Sequence, residues 1–132
     1  MVEITKLEEF KNINKVPSYK AKIELVYGLI EKGDISKAYD MVNAIIESVG
    51  IIYMKKQYDI DVAYSNLGYL GNILIEKKDE DIANEFLTVN AYLNMLVEDD
   101  DHEISENNID SLLFDFDRIL FWILIKDDKF FE

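Results

Sequence analysis

Apolar residues recur at intervals of three and four along most of the chain, a spacing that is typical of amphipathic α-helices. The spacing breaks at a few polar or glycine-containing points, which divide the chain into a short N-terminal stretch and five longer segments. We therefore predict an all-α fold, a single-domain antiparallel bundle of five to six helices. In this prediction residues 1–16 form a short N-terminal helix or arm, residues 18–126 the core bundle, and residues 127–132 a C-terminal tail.

Residue types that cap helices mark the predicted ends of the first four core helices. Gly33 suits the end of the first helix, because glycine readily adopts the left-handed conformation found there. Asp34 suits the N-cap of the second. On the third helix, Gly68 and Gly71 lie on a strip where another helix could approach closely. The third helix is predicted to start after Asp59 or Asp61, with Ala63 as its first apolar position. The fourth helix is predicted from about residue 80 to 97.

The fifth segment has the widest apolar surface. Ser105 is predicted as its N-cap, with Ile104 and Ile109 as the two members of a hydrophobic staple. Three further apolar residues make its last two turns apolar almost all round: Phe114, Phe121 and Ile125. Such a helix belongs in the middle of a bundle or in an interface.

Two stretches of the chain resemble each other at an offset of 45 residues: LIEKGDISKA (29–38) and LIEKKDEDIA (74–83). Each combines a helix end, a polar turn and a helix start. A duplicated helical hairpin would explain the likeness. The chemistry that any two helix ends share is the favoured explanation, with a duplication as the alternative.

Acidic residues are concentrated in the C-terminal part of the chain. The net charge is −13; residues 1–75 hold 10 acids and 9 bases, whereas residues 76–132 hold 17 acids and 5 bases. A negative field repels phosphate backbones and attracts basic surfaces. Arg118 is the sole arginine, so bidentate contacts to phosphates and bases are nearly absent. We expect no direct binding to nucleic acid.

Nothing in the sequence indicates a membrane or an oxidising compartment. The longest uncharged apolar run, ILFWILI (119–125), has seven residues, far fewer than the roughly 20 needed to span a bilayer. The first ten residues, MVEITKLEEF, lack the basic and apolar regions of a signal peptide. There is no cysteine for disulfides or thiolate metal sites. We expect a cytoplasmic protein.

The sequence offers no catalytic motif. Asp99, Asp101, Glu103 and Asp110 have the spacing of a calcium loop, but Ile104 stands where such a loop needs glycine. His102 is the only histidine, and without cysteine a zinc site would need carboxylates alone. Serine-hydrolase and phosphate-binding motifs are both missing. We therefore predict no metal, no cofactor and no enzymatic activity.

Part of the chain resembles a known family of helical bundles. The runs GDISKAYDMVNAIIESVGIIY and VNAYLNMLVEDDDHEISENNIDSLLFDFDRILFWIL are similar to HEPN domains of prokaryotic defence and toxin–antitoxin systems. The likeness covers residues 20–126 loosely, through helix lengths and the two helix starts G-D-x-x-x-A-Y and S-x-x-x-I. Where catalytic members carry an arginine and a histidine, this chain has Leu93 and Asn94 leading to Glu98. The resemblance thus implies a degenerate member without ribonuclease activity, which serves in dimerisation or regulation.

The acidic residues around the start of the fifth helix are the predicted site. They could occupy the nucleic-acid or substrate cleft of a basic partner, whereas the alternative is a solvated face that only keeps the protein soluble. Trp122 lies on a polar strip of the helix, so we expect it to be partly exposed, as an interface hot spot is. In the alternative it is covered by the N-terminal helix or by Phe130 and Phe131. The predicted partner-binding residues are Glu98, Asp99, Asp100, Asp101, Glu103, Glu106, Asp110, Asp117 and Trp122.

Taken together, these features predict a non-enzymatic acidic inhibitor that neutralises a basic protein partner. The partner would be a toxin, a nuclease or a nucleic-acid-handling complex, and the chain would act as an immunity protein, an antitoxin or a phage anti-defence protein, with its acids mimicking nucleic acid. The second hypothesis is the degenerate HEPN-type module, with a homodimer formed through the fifth helix.

Overall fold

The computed structural model describes residues 7–62, 66–98 and 103–132, and these residues form an all-α helical bundle. The α-helices with defined bounds are α1 (Pro17–Glu31), α2 (Ile35–Tyr58), α3 (Leu67–Glu76), α4 (Glu80–Glu98) and α5 (Glu106–Lys126). A helical segment at residues 7–9 and a 3-10 helix (Ile13–Lys15) precede them. No β-strand occurs in these ranges. The predicted fold class is therefore confirmed, whereas the antiparallel order of the helices stays a prediction.

The chain separates into two compact units, which we call the terminal unit and the central unit. The terminal unit combines residues up to 42 with residues 103–132, and the central unit holds residues 43–102. Helix α2 belongs to both, because the division falls at Val42 within it.

The core of the terminal unit includes both chain-end segments, which the sequence places outside the core bundle. Phe10 and Ile13 have no exposed surface and Phe130 is 4% exposed. The Phe10 ring packs edge-on against Phe114 with centroids 4.8 Å apart, and Phe131 packs against Tyr19 at 5.3 Å. The C-terminal tail shows no helical apolar period, so its aromatic residues anchor it without a signal in the spacing. In the N-terminal segment Leu7, Phe10 and Ile13 recur every third residue, which is the spacing that predicts a short helix there.

In the central unit, close packing of α3 on α4 depends on glycine. A Cβ atom on Gly71 would lie 2.6 Å from Leu87 Cγ and 3.4 Å from the carbonyl oxygen of Ala83. A Cβ on Gly68 would lie 3.1 Å from Asn90 Nδ2. The prediction that another helix approaches this strip is therefore confirmed, and the approaching helix is α4.

Helix α3 begins later than predicted. Asn66 is its N-cap and accepts a hydrogen bond from the backbone N–H of Tyr69 at 3.0 Å. Asp59 and Asp61, after which the helix was expected to start, instead lie 3.0 and 3.1 Å from the ammonium group of Lys55 near the end of α2. Ala63 lies outside the described residues.

The two similar stretches of sequence form the same backbone turn. Gly33 and Lys78 hold equivalent positions with φ of 83° and 62°. In each turn the next residue donates its N–H to a carbonyl five residues back at 2.9 Å, from Asp34 to Leu29 and from Asp79 to Leu74. This is the bonding of a helix that ends in a left-handed residue. A duplicated hairpin and shared helix-end chemistry both predict this common turn, so both explanations of the likeness stay open.

Replacing Lys78 with glycine is expected to raise the free energy of unfolding by about 0.5–1 kcal/mol, because a side chain at positive φ is strained. Gly33→Ala should lower it by about 1 kcal/mol for the same reason. Urea denaturation followed by circular dichroism measures both changes. A loss of stability in Lys78→Gly would show that the lysine side chain contributes more than its backbone strain costs.

Candidate protein-binding surface

The start of α5 is fixed by a reciprocal pair of hydrogen bonds. The Asn108 backbone N–H donates to Ser105 Oγ at 3.4 Å, and the Ser105 backbone N–H donates to Asn108 Oδ1 at 2.9 Å. The predicted N-cap is therefore confirmed, with an asparagine where a capping box usually has Glu or Gln. Ile109 is fully buried and Ile104 is half-buried, so both apolar residues of the predicted staple are partly or wholly covered.

Most of the acidic excess lies at the surface. Of the 17 acids in residues 76–132, 14 are described, and eight of those are exposed: Glu76, Glu80, Asp81, Glu98, Glu103, Asp127, Asp128 and Glu132. Among the predicted contact residues, Glu98 and Glu103 are thus exposed, and Glu106 is half-buried. Asp99, Asp100 and Asp101, with His102, lie outside the described residues.

Asp117, a predicted contact residue, holds the N-terminal segment in the terminal unit. Its Oδ1 accepts hydrogen bonds from the backbone N–H groups of Ile13 at 2.8 Å and Asn12 at 3.0 Å, and its Oδ2 accepts one from Asn12 Nδ2 at 3.1 Å. These backbone donors start the 3-10 helix and have no partner within it. The carboxylate therefore acts as a helix cap supplied from a distant part of the chain.

Asp110 is also engaged within the terminal unit. The buried Tyr27 hydroxyl donates to its Oδ1 at 2.8 Å. Burial raises the pKa of Tyr27 far above its usual range, and the hydrogen bond to Asp110 adds to the effect, so the phenol stays a donor. We therefore narrow the predicted acidic surface to the residues from Glu98 to Glu106.

Trp122 lies at the opposite end of α5 from the acids. It is half-buried, as expected from its position, and its ring packs edge-on against Phe121 with centroids 5.2 Å apart. At a rise of 1.5 Å per residue it stands about 24 Å along the helix from Glu106. The polar strip that carries it is not fully exposed, because Asp115 is 9% exposed and pairs with Arg118. Trp122 thus belongs with the apolar residues of the last turns rather than with the acidic surface.

From its middle to its C-terminal end, α5 exposes apolar side chains, which we call the apolar strip: Phe114 is 42% exposed, Phe121 41% and Ile125 60%. An open depression of about 180 Å³ lies beside it, lined by Asn12, Lys15, Phe121, Leu124, Ile125 and Asp128. Large exposed apolar residues that share one helix face are typical of contact surfaces.

Of the described carboxylates, the most deeply buried lies in the central unit, and its role was not predicted from the sequence. Asp79 is 3% exposed, and its Oδ2 accepts hydrogen bonds from the hydroxyls of Tyr53 and, at 2.7 Å, Tyr58. Burial, followed by the hydrogen bond to Asp79, raises the pKa of Tyr58 to about 12 and that of Tyr53 further. Both phenols therefore remain neutral donors at physiological pH. The cluster joins the turn before α4 to the end of α2.

In comparisons with protein-family models, curated proteins and solved structures, no match to this chain was found. The resemblance to HEPN domains stays a prediction. In the described ranges, no group of three or more His, Cys, Asp or Glu residues is placed to hold a metal ion. None of the helices found there has both the length and the apolar character needed to cross a membrane.

Proposed function

We propose that the chain is a non-enzymatic acidic inhibitor that binds and neutralises a basic protein partner. The observation that carries this proposal is the exposure of Glu98 and Glu103 in a stretch of nine residues, 98–106, that holds six of the 17 acids in residues 76–132. The fold uses four other acids of that segment, Asp79, Asp110, Asp115 and Asp117, for its own hydrogen bonds and ion pairs. Among the exposed acids of residues 76–132, Asp127 also accepts a hydrogen bond, from the backbone N–H of Lys129 at 3.0 Å.

The contact surface in this proposal is the acidic segment from Glu98 to Glu106. Glu98 is the last residue of α4, and Glu103 lies two residues before the N-cap of α5. Acids concentrated in one stretch attract a basic surface over several ångströms and speed association, and they discriminate against acidic proteins. A nuclease toxin or a nucleic-acid-handling complex offers such a surface, because its own ligand is a polyanion.

A paired set of charge variants tests the proposal. In the first variant, Glu98→Gln, Asp99→Asn, Asp100→Asn, Asp101→Asn and Glu103→Gln remove five charges from the acidic segment. In the second, Glu24→Gln, Glu31→Gln, Glu76→Gln, Glu80→Gln and Asp81→Asn remove five charges from exposed sites elsewhere. Because the two variants have the same net charge, a difference between their affinities for the partner reports the local acidic surface and not the overall charge.

The partner is identified by cross-linking in the source cells, purified, and titrated with each variant. We expect the first variant to bind at least about tenfold more weakly and the second to keep most of its affinity. Raising NaCl from about 50 to about 500 mM should weaken binding of the unmodified chain, because salt screens exposed charges. Unchanged affinity of the first variant would refute the proposed acidic surface.

A further inference from the structure

The exposed side of α4 carries no charge along most of its length. Between Asp81 and Glu98 the exposed residues are all uncharged: Asn84, Thr88, Ala91, Asn94, Met95 and Val97. Helix α1 is shorter than α4 and exposes four charged residues: Lys20, Lys22, Glu24 and Glu31. Surface helices usually carry charged residues on the side opposite the core, which keeps a protein soluble. The composition of α4 therefore needs an explanation other than solubility.

Four of these residues share one side of the helix, which we call the uncharged face: Asn84, Thr88, Ala91 and Met95. They follow one another at spacings of four, three and four residues, and Glu98 continues the series three residues later. At a rise of 1.5 Å per residue, the uncharged face is about 16 Å long. It leads directly into the acidic segment, which begins at Glu98.

The residue types of the uncharged face are those of the buried centre of an interface. Such centres are depleted in charged residues and enriched in methionine. Met95 is 55% exposed, and its flexible thioether side chain adapts to the shape of a partner. The side chains of Thr88 and Ala91 are small, so another helix can approach closely and pack along the face. A straight, narrow face of this kind fits a helix better than a flat surface.

The middle of the uncharged face can lose its water without leaving a hydroxyl unpaired. The Thr88 hydroxyl donates to the backbone carbonyl of Asn84 at 2.8 Å, within α4 itself. A polar group that loses water on binding and finds no new hydrogen bond weakens the complex. Thr88 already has its hydrogen bond, and the side chains of Ala91 and Met95 have no hydrogen-bond donor. A partner can therefore cover these three residues with little loss of hydration.

We propose that a helix of the basic partner covers the uncharged face, with Met95 as the apolar anchor and lysine or arginine side chains of that helix over Glu98. This inference rests on the proposed function, since it describes the part of the basic partner that makes the contact. Charge complementarity sets the register: the apolar part of the partner's helix lies over Thr88 and Ala91, and its basic end lies over the acidic segment. An apolar centre beside a charged rim is typical of interface hot spots.

Two synthetic peptides of about 18 residues, roughly 27 Å long as helices, serve as probes. In the first peptide, leucines and alanines form one helical face and lysines fill the last turns. The second peptide has the same composition in an order that leaves no apolar face. Fluorescence anisotropy of the labelled peptides measures their affinity for the unmodified chain, and we expect the first to bind at least about tenfold more tightly. Equal affinities would overturn the proposal, because charge alone would then determine binding.

Matched variants locate the contact on the chain. Ala91→Arg places a bulky cation in the middle of the uncharged face, and Ala21→Arg makes the same change at an exposed alanine of α1. We expect Ala91→Arg and Met95→Ala to lower the affinity for the first peptide to nearly that for the second, and Ala21→Arg to change it by less than about twofold. Circular dichroism checks that each variant folds. Equal losses in Ala91→Arg and Ala21→Arg would also overturn the proposal.

The variant that removes five charges from the acidic segment distinguishes this inference from the proposed function. We expect it to weaken the binding of both peptides, whereas Ala91→Arg weakens the binding of the first peptide only. If the charge variant weakens both and Ala91→Arg has no effect, the uncharged face is refuted and the acidic surface is not. If the charge variant binds both peptides normally while Ala91→Arg weakens the first, the acidic contact is refuted and the apolar contact on α4 is supported.

Discussion

Replacing Asp79 with alanine is expected to lower the free energy of unfolding by about 3 kcal/mol. The substitution removes a charged acceptor that two tyrosines share, and one of these, Tyr53, is only 1% exposed. A hydrogen bond to a charged group contributes about 1.5–3 kcal/mol, and a buried donor left without a partner costs about 1–3 kcal/mol. Part of this loss is offset because the buried charge disappears with the side chain.

Asp34→Ala is the matched control for this prediction. Asp34 holds the same position in the equivalent turn after α1, but it is half-buried, whereas Asp79 is only 3% exposed. We expect Asp34→Ala to cost about 1 kcal/mol or less, in the range of a lost helix cap. Urea denaturation of both variants provides the comparison. Similar losses in the two would show that the turn itself, and not the tyrosine cluster, determines the effect.

A double-mutant cycle then measures the interaction free energy between Asp79 and Tyr53. If the Tyr53 hydroxyl causes part of the loss, Asp79→Ala should cost less in a Tyr53→Phe background, because no donor is left unsatisfied. We expect a coupling of about 1–2 kcal/mol between the two positions. Strict additivity would mean that the hydroxyl finds another acceptor when Asp79 is removed.

The sequence predicted the helices well because their buried residues repeat on one face. On α5, Ile109, Leu112, Phe116, Ile119 and Ile123 have no exposed surface, and the 3.6-residue period identifies all of them. Local chemistry also identified the cap at Ser105 and the glycine at the end of α1. Each of these features depends on residues that are close in the sequence, where spacing and residue type are informative.

The hydrogen bonds that the acidic side chains make within the fold could not be predicted in the same way. Asp117 contacts Asn12 and Ile13, more than 100 residues away, and Asp110 contacts Tyr27 across 83 residues. No local pattern reports such pairs, and a single aspartate on a polar strip is most simply interpreted as solvated. The sequence therefore assigned Asp110 and Asp117 to a partner, whereas the fold uses both for its own hydrogen bonds.

From the sequence, the acidic surface and the apolar surface of α5 could not be told apart. The acids and Trp122 belong to one helix and looked like a single contact site. A helix of 21 residues is about 30 Å long, so its ends are separate surfaces even when its sequence is continuous. The acidic end and the apolar strip therefore call for different partners and different experiments.

Replacing Gly71 with valine is expected to lower the free energy of unfolding by about 2–3 kcal/mol. A Cβ at this position would lie 2.6 Å from both Cγ and Cδ2 of Leu87, and the Ala83 carbonyl oxygen behind them belongs to the backbone of α4. A Cγ atom is close to its own backbone, so Leu87 cannot relieve the overlap by turning its end group alone. The helices α3 and α4 must separate, and overpacking of this kind typically costs about 1–3 kcal/mol.

Gly28→Val is the control, because it makes the same change inside another helix where no atom lies within 4 Å of the new Cβ. Valine is a slightly better helix former than glycine, so we expect this variant to be unchanged or more stable by up to about 0.5 kcal/mol. Thermal and urea denaturation of the two variants measure the difference between the sites. If Gly71→Val were as stable as Gly28→Val, the tight approach of α4 to α3 would not be required for folding, and the role of Gly71 in the packing of the central unit would be refuted.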